Sequence, residues 1–353
     1  MKRYYLTCLL GCLFSLALFA QEGSLFIVHT SDTHSCIEPI SSHFKDPDQA
    51  NKAGYLRRVV LLEQLRREHP EDLLLLDCGD FSQGSVYYNL YQGEVEVKLM
   101  NLMKYDACTI GNHEFDFGLE NLARLMRMAE FPFVCCNYDF TGTPCEGLVK
   151  PYIIVERAGV RVGIFGVCPQ PEGLITGKNY EGMGYKKPAQ AAQPVIDHLR
   201  NDEKCDVVVC LSHLGWGEKA DMDPDFIAST TGLDIVLGGH SHTYFDEPKC
   251  LMTRKATWFL SITRARTPAS WEPSRSRPAS ERNNKKPLRR ERLFCISVMP
   301  YYREMAPLGH ASAQVPHSVH CSGSIEYFSP SEIAPTGHSS IHVPQATQSS
   351  LIT

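Results

Sequence analysis

The sequence predicts an α/β protein of two packed sheets with helices on both outer faces. Three observations carry this. Continuous apolar runs such as Leu73 to Leu76 are what strands buried on both faces require. Stretches with helical spacing lie between them, and strand following helix following strand argues for a mainly parallel sheet. Five of the runs also end in matching polar residues: Asp32-Thr33-His34, Gly79-Asp80, Gly111-Asn112-His113-Glu114-Phe115-Asp116, Ser212-His213 and Gly239-His240-Ser241-His242.

Taken in order, Lys2 and Arg3 precede an apolar run from Tyr4 to Ala20 and then polar Gln21 and Glu22, the pattern of a secretory signal over residues 1–20. The run is short of the roughly 20 residues a spanning helix needs, so the mature chain is expected to have no membrane span and to be periplasmic or secreted. Leu25 to His29 is a strand running into Asp32. Gly54 to Glu68 has helical spacing, with Tyr55, Leu56, Val59, Leu62 and Leu65 on one face and Arg57, Arg58, Glu63 and Arg67 mostly off it. Leu73 to Leu76 is the next strand, and a helical stretch then leads to Tyr105. Ala107 to Ile110 reads as a strand, Leu119 to Met128 as a helix, and Phe133 to Cys136 as a strand. Tyr152 to Arg157 and Val160 to Val167 flank Ala158-Gly159 as a hairpin. A helix over Ala189 to Arg200 precedes the strand Val207 to Leu211, and Ile235 to Leu237 is the last clear strand.

Beyond Cys250 the composition changes. Residues 251–353 hold 13 Lys/Arg against 6 Asp/Glu, whereas residues 1–250 hold 22 against 34. The tail is therefore read as atypical and disordered, apart from a domain over 24–250. Its basic residues, mixed with Ser and Pro, are not read as a nucleic-acid surface. Back-translation of Leu251 to Glu272 in a shifted frame permits a turn followed by strand-like segments, which the written frame lacks. A change of reading frame near Lys249–Cys250 is the sharper expectation, and it would remove the last strands. Cys78, Cys108, Cys135, Cys136, Cys168 and Cys210 sit in or beside apolar runs without regular spacing, and read as small buried hydrophobes rather than a disulfide framework.

In parallel α/β sheets, ligands gather beyond the carboxyl ends of the strands. Asp32, His34, Asp80, Asn112, His213, His240 and His242 all fall there. Carboxylate, imidazole and amide oxygen together suit divalent Zn, Mn or Fe. The set exceeds what one ion needs and suits two ions, roughly 3.5–4 Å apart, sharing a carboxylate. Asp116 is open to two readings, a cap for the following helix or a partner for His113. His29, His43, His69 and His198 read as ordinary surface or packing residues.

These five motifs, in this order and spacing over about Leu25 to Pro248, resemble the calcineurin-like metallophosphoesterase family, most nearly the catalytic domain of secreted 5′-nucleotidases and UDP-sugar hydrolases. The resemblance implies a four-layer αββα sandwich of two mixed sheets. It implies that Asp32, His34, Asp80 and His242 hold one divalent metal and that Asp80, Asn112, His213 and His240 hold the other. It further implies a metal-bridging hydroxide as nucleophile toward a phosphate ester, with His113, oriented by Asp116, and Asn112 as catalytic residues. Many 5′-nucleotidases carry Gln at the position of His242. The family's full-length nucleotidases bind the base with a second domain that residues 251–353 do not resemble. The expected substrate is thus a nucleotide monoester, recognised with a separate domain. The alternatives are phosphodiester or UDP-sugar hydrolysis at the same site, or an inactive frameshifted copy.

Overall fold

The computed structural model describes residues 25–44 and 50–243, and the backbone of 249–252, 258–262 and 293–297. The expected signal segment lies outside these residues, as does most of the tail. In chain order the elements are β1 (Leu25–Thr30), α1 (Tyr55–Glu68), β2 (Leu73–Asp77), α2 (Val86–Tyr91), α3 (Glu94–Met103), β3 (Ala107–Cys108), α4 (Gly118–Met128), β4 (Phe133–Val134), β5 (Tyr138–Asp139), β6 (Val149–Lys150), β7 (Tyr152–Arg157) and β8 (Val160–Val167). There follow β9 (Gly184–Tyr185), α5 (Pro188–Asn201), β10 (Val207–Ser212), α6 (Asp223–Ser229), β11 (Ile235–Gly238), β12 (Lys249–Met252), β13 (Trp258–Ile262) and β14 (Leu293–Ser297).

The first sheet has the order β14-β1-β2-β3-β4-β6 and is parallel throughout. The second, β12-β13-β11-β10-β8-β7, is parallel in its middle and antiparallel at both edges. Among the described residues the second sheet is thus mixed and the first parallel. Helical crossovers feed β2 and β3 into parallel neighbours, while the tight turn at Ala158-Gly159 returns β8 antiparallel to β7. Among the described residues, three strands lie beyond Gly238, two extending the second sheet and one pairing with β1. The reading-frame expectation otherwise falls on residues outside those described.

Strand alternation divides the apolar side chains among layers. Leu25, Ile27, Leu74 and Leu76 meet Val162, Ile164, Val209 and Leu237 between the two sheets. Phe26, Val28, Leu73 and Leu75 point the other way, onto Tyr55, Leu62, Met100 and Leu122 of the helices. Phe165, Val208, Cys210 and Val236 pack on Ile196, Leu199 and Phe226. Helix, sheet, sheet, helix is the result. Each such side chain contributes roughly 1.5–3 kcal/mol when fully buried.

Helix α1 departs from its expected face. Leu56 is 61% exposed, while Arg58 is 5% exposed with its guanidinium 4.5 Å from the centroid of the Tyr55 ring. Arg58 lies three residues from Tyr55, on the same side of the helix, and the aromatic face compensates the buried charge. If the inter-sheet layer carries the fold, Leu74→Ala costs about 2–5 kcal/mol. Leu56→Ala should stay within about 0.5 kcal/mol. Urea unfolding of the two variants checks this, and equal losses would contradict the layering.

Candidate metal centre

The carboxyl ends of β1, β2 and β3 from one sheet and of β10 and β11 from the other meet at one edge of the sandwich. Backbone hydrogen bonds lace the loops together: Asp32 N donates to Gly79 O (2.9 Å), His34 N to Asp80 O (3.0 Å) and Ser35 N to Phe81 O (2.9 Å). Asp32, His34, Asp80, His240 and His242 all take positive φ, between 41° and 68°. Asp and His tolerate this region better than most side chains, yet it is sparsely populated, and such conformations persist where surrounding structure enforces them. The approach of the loops is tight. A Cβ on Gly79 would sit 2.5 Å from Gly111 N, and one on Gly111 would sit 2.1 Å from Asp80 Oδ1. Only glycine fits at either place.

Three overlapping groups of donors result among the described residues: Asp32, His34 and His242; His34, Asp80 and His113; and Asp80, His213 and His240. Six of the seven residues expected as ligands fall in these groups, and Asn112 lies beside them with its Oδ1 buried. His34 Nε2 lies 2.9 Å from His242 Nε2, and His242 Nε2 lies 3.6 Å from Asp32 Oδ1. Asp32 is further held by Ser31 Oγ, donating at 2.5 Å, and by His240 N at 2.8 Å.

The residues present fit divalent metal. His213 Nδ1 lies 2.7 Å from Cys78 O, which orients the ring so that Nε2 faces Asp80. That Nε2 is buried 3.1 Å from Asp80 Oδ2 with no hydrogen bond closing the gap, and Asn112 Oδ1 is likewise buried without a hydrogen-bond partner. His34 Nδ1 similarly faces Ser82 O at 3.3 Å, directing Nε2 at His242. Two imidazole nitrogens at 2.9 Å, with orphaned acceptors nearby, form a donor set for a cation. Protonation agrees. Burial and the charge of His213 push the His240 imidazole down to about 3, and burial and His242 hold His34 well below its usual value. Burial works to raise Asp80, but His213 and His113 outweigh it and keep the carboxyl well below the usual range.

His113 stands beside these donors in a single 3₁₀ turn, His113–Phe115. Its Nδ1 lies 3.1 Å from Asp116 Oδ2, and its backbone N donates to Asp80 Oδ1 at 2.9 Å. Asp116 does not cap α4, whose first residue follows Phe117 with no side-chain cap. Its carboxylate faces the imidazole instead. Of the histidines set aside in the sequence, His29 is buried, His69 stacks on Phe26 at 3.8 Å and His198 pairs with Tyr152, all in packing positions.

A calcineurin-like phosphoesterase family model matches residues 26–244. The chain is 32% identical over 246 residues to the 5′-nucleotidase of Rattus norvegicus, covering 68% of this chain and 42% of that one. It is 25% identical over 265 residues to the trifunctional nucleotide phosphoesterase protein YfkN of Bacillus subtilis (strain 168), covering 66% and 17%. Among solved structures, the 5′-nucleotidase precursor of Thermus thermophilus superposes with a TM-score of 0.62 at 30% identity, over 69% of this chain and 48% of that one. The chain thus spans about two fifths of the length of the rat relative.

Glu114 is the residue that sequence reasoning passed over. It is 1% exposed, and its Oε2 accepts from Gly111 N (2.7 Å) and Asp80 N (2.9 Å) while Oε1 accepts from Ser82 N (3.1 Å). Burial and the nearby Asp80 charge raise its carboxyl to about 7. The signal was an acid wedged between His113 and Phe115 at a strand end, where a solvent-facing role is sterically awkward. Glu114→Gln turns an amide donor toward backbone N–H groups and should loosen the Asp80 turn. Manganese or zinc titration of the folded variant should show affinity about 10–100-fold weaker; unchanged affinity would make Glu114 a bystander.

Proposed function

The chain belongs to the calcineurin-like phosphoesterase family, and on that premise we propose that it is an exported, binuclear-metal phosphoesterase acting on nucleotide monoesters. The observation that carries this reading is that Asp80 converges with His213 and His240 on one side and with His34 and His113 on the other, while His34 converges in turn with Asp32 and His242. Zn²⁺, Mn²⁺ or Fe²⁺ bound there would supply Lewis acidity toward the phosphoryl oxygens and lower the pKa of water. Asp32, His34 and His242 would hold one ion and Asn112, His213 and His240 the other, with Asp80 available to both. The names of the rat and Thermus relatives support a nucleotide as substrate.

The chain's own part in the reaction lies chiefly with His113. Burial works to lower its imidazole, but the charge of Asp80 and the hydrogen bond to Asp116 raise it to about 9. It therefore holds a proton at neutral pH. With Nδ1 turned to Asp116, the Nε2 proton is available to the departing alkoxide oxygen. Asp116 fixes the ring's orientation, and Asn112 places a polar amide beside the charge that builds on the phosphate. Hydrolysis of phosphodiesters or UDP-sugars at the same donors is the second reading, supported by the nucleotide phosphoesterase name of the Bacillus relative.

Phosphate release from 5′-AMP, UDP-glucose and a cyclic nucleotide, with Mn²⁺ or Zn²⁺ present, separates these readings. The expected result is AMP turnover abolished by EDTA. His113→Asn should lower kcat by about 10²–10⁴-fold with KM little changed, and Asp116→Asn should act in the same direction with a smaller loss. Turnover insensitive to EDTA would contradict the metal reading. No turnover of any ester by a folded, metal-loaded chain would support the inactive alternative.

A further inference from the structure

Two thiols that the proposed hydrolysis does not use meet behind the metal centre. Cys135 follows β4 in the first sheet and Cys168 follows β8 in the second, and their Sγ atoms are 3.4 Å apart. Both are buried, Cys135 4% and Cys168 0% exposed. Asn137 clamps the pair: its Oδ1 accepts from Cys168 N at 2.8 Å, its Nδ2 donates to Cys168 O at 2.7 Å, and Cys135 Sγ lies 3.4 Å from the same Oδ1. On the other side, Cys168 Sγ lies 3.0 Å from Ile110 O, the carbonyl immediately before Gly111 and Asn112. The contact therefore joins the two sheets directly beneath a loop of the candidate site.

We propose that Cys135 and Cys168 are a redox-active pair that closes to a disulfide, tying β4 to β8 under the Gly111–Asn112 loop. Packing alone would not require two thiols here. A hydrophobic pair of similar size would fill the layer, whereas Asn137 holds the Cys168 backbone at both N and O and meets the Cys135 thiol. The two thiols are also unequal. Burial works to raise Cys135, but the Cys168 thiol and the backbone N–H groups of Asn137 and Tyr138 bring it below its usual value. Cys168 is pushed up by burial and by Cys135, and Cys108, Cys136, Cys145 and Cys210 are also raised, chiefly by burial. Cys135 is thus the attacking sulfur of the pair.

The oxidant is a small disulfide such as oxidised glutathione. The Cys135 thiolate attacks one of its sulfurs, forming a mixed disulfide and releasing one thiolate. Cys168, losing its proton to that thiolate, attacks Cys135 Sγ and expels the second thiolate, which takes up the proton released by Cys135. Two protein thiols become one disulfide, and one small disulfide becomes two thiols. A cavity of about 210 Å³ lined by Cys135, Tyr138 and Phe140 offers an approach to Cys135. Closure also requires the sulfurs to come from 3.4 Å to about 2.05 Å, and Cys168 to give up its contact with Ile110 O.

The test uses the full chain, folded from the reduced state in glutathione buffers of graded ratio, trapped by alkylation under denaturing conditions and mapped by mass spectrometry. The expected result is a peptide linking Cys135 to Cys168, lighter by two hydrogens and released by dithiothreitol. The oxidised protein should melt roughly 5–10 °C above the reduced one. In Cys135→Ala and Cys168→Ala, that redox-dependent difference should vanish. If either variant fails to fold, the linked peptide in the unaltered chain still decides. Complete alkylation of both cysteines at every ratio, or bridges confined to other cysteines, would overturn the proposal. No step uses phosphate release, so the outcome is independent of the hydrolytic reading.

Discussion

Everything near the candidate site depends on one carboxylate, Asp80. It follows the tight turn at Gly79, accepts a hydrogen bond from His113 N, faces His213 across the gap between the sheets, and is common to two donor groups. An anion at 2% exposure is unfavourable unless positive charge meets it. Here several imidazoles do so, and the geometry leaves Nε2 of His213 and Oδ1 of Asn112 without hydrogen bonds of their own. This is an environment that divalent cations would complete. The fold's task is to hold these atoms at short range.

That task explains where backbone strain collects. Five of the seven expected ligands sit at positive φ, a conformation that costs on the order of 1–3 kcal/mol at a non-glycine residue. Such loops hold only if the ground beneath them is rigid. Continuous apolar strands supply it: β1, β2, β10 and β11 are buried along their whole lengths and lie between two helical layers. Glu114 adds a polar brace, taking three backbone N–H groups from the Asp80 and Gly111 turns onto one carboxylate. Sheet, brace and turn thus act in series to position the donors.

Much of this was legible in the sequence. Apolar runs placed the strands, and the polar residues after each run placed the candidate donors, because a strand's carboxyl end is where its chain leaves the core. The divided roles of His34 with His242 and of His213 with His240 came from the family resemblance rather than from spacing. What remained hidden depended on distance across the fold. Arg58 looked like a surface residue until the Tyr55 ring lay beneath it, and Glu114 looked like part of a turn until three N–H groups faced it. The contact between Cys135 and Cys168 joins residues 33 positions apart on different sheets, beyond the reach of any local pattern.

The central claim is that two divalent ions share Asp80. It is tested most directly by counting metal in the folded chain, by elemental analysis after equilibration with Zn²⁺ or Mn²⁺ and removal of loosely bound ions, for the unaltered protein and for Asp80→Asn. The account predicts two ions per chain in the former and weakened retention of both in the latter. A single ion per chain, or two ions held equally well without the carboxylate, would contradict it.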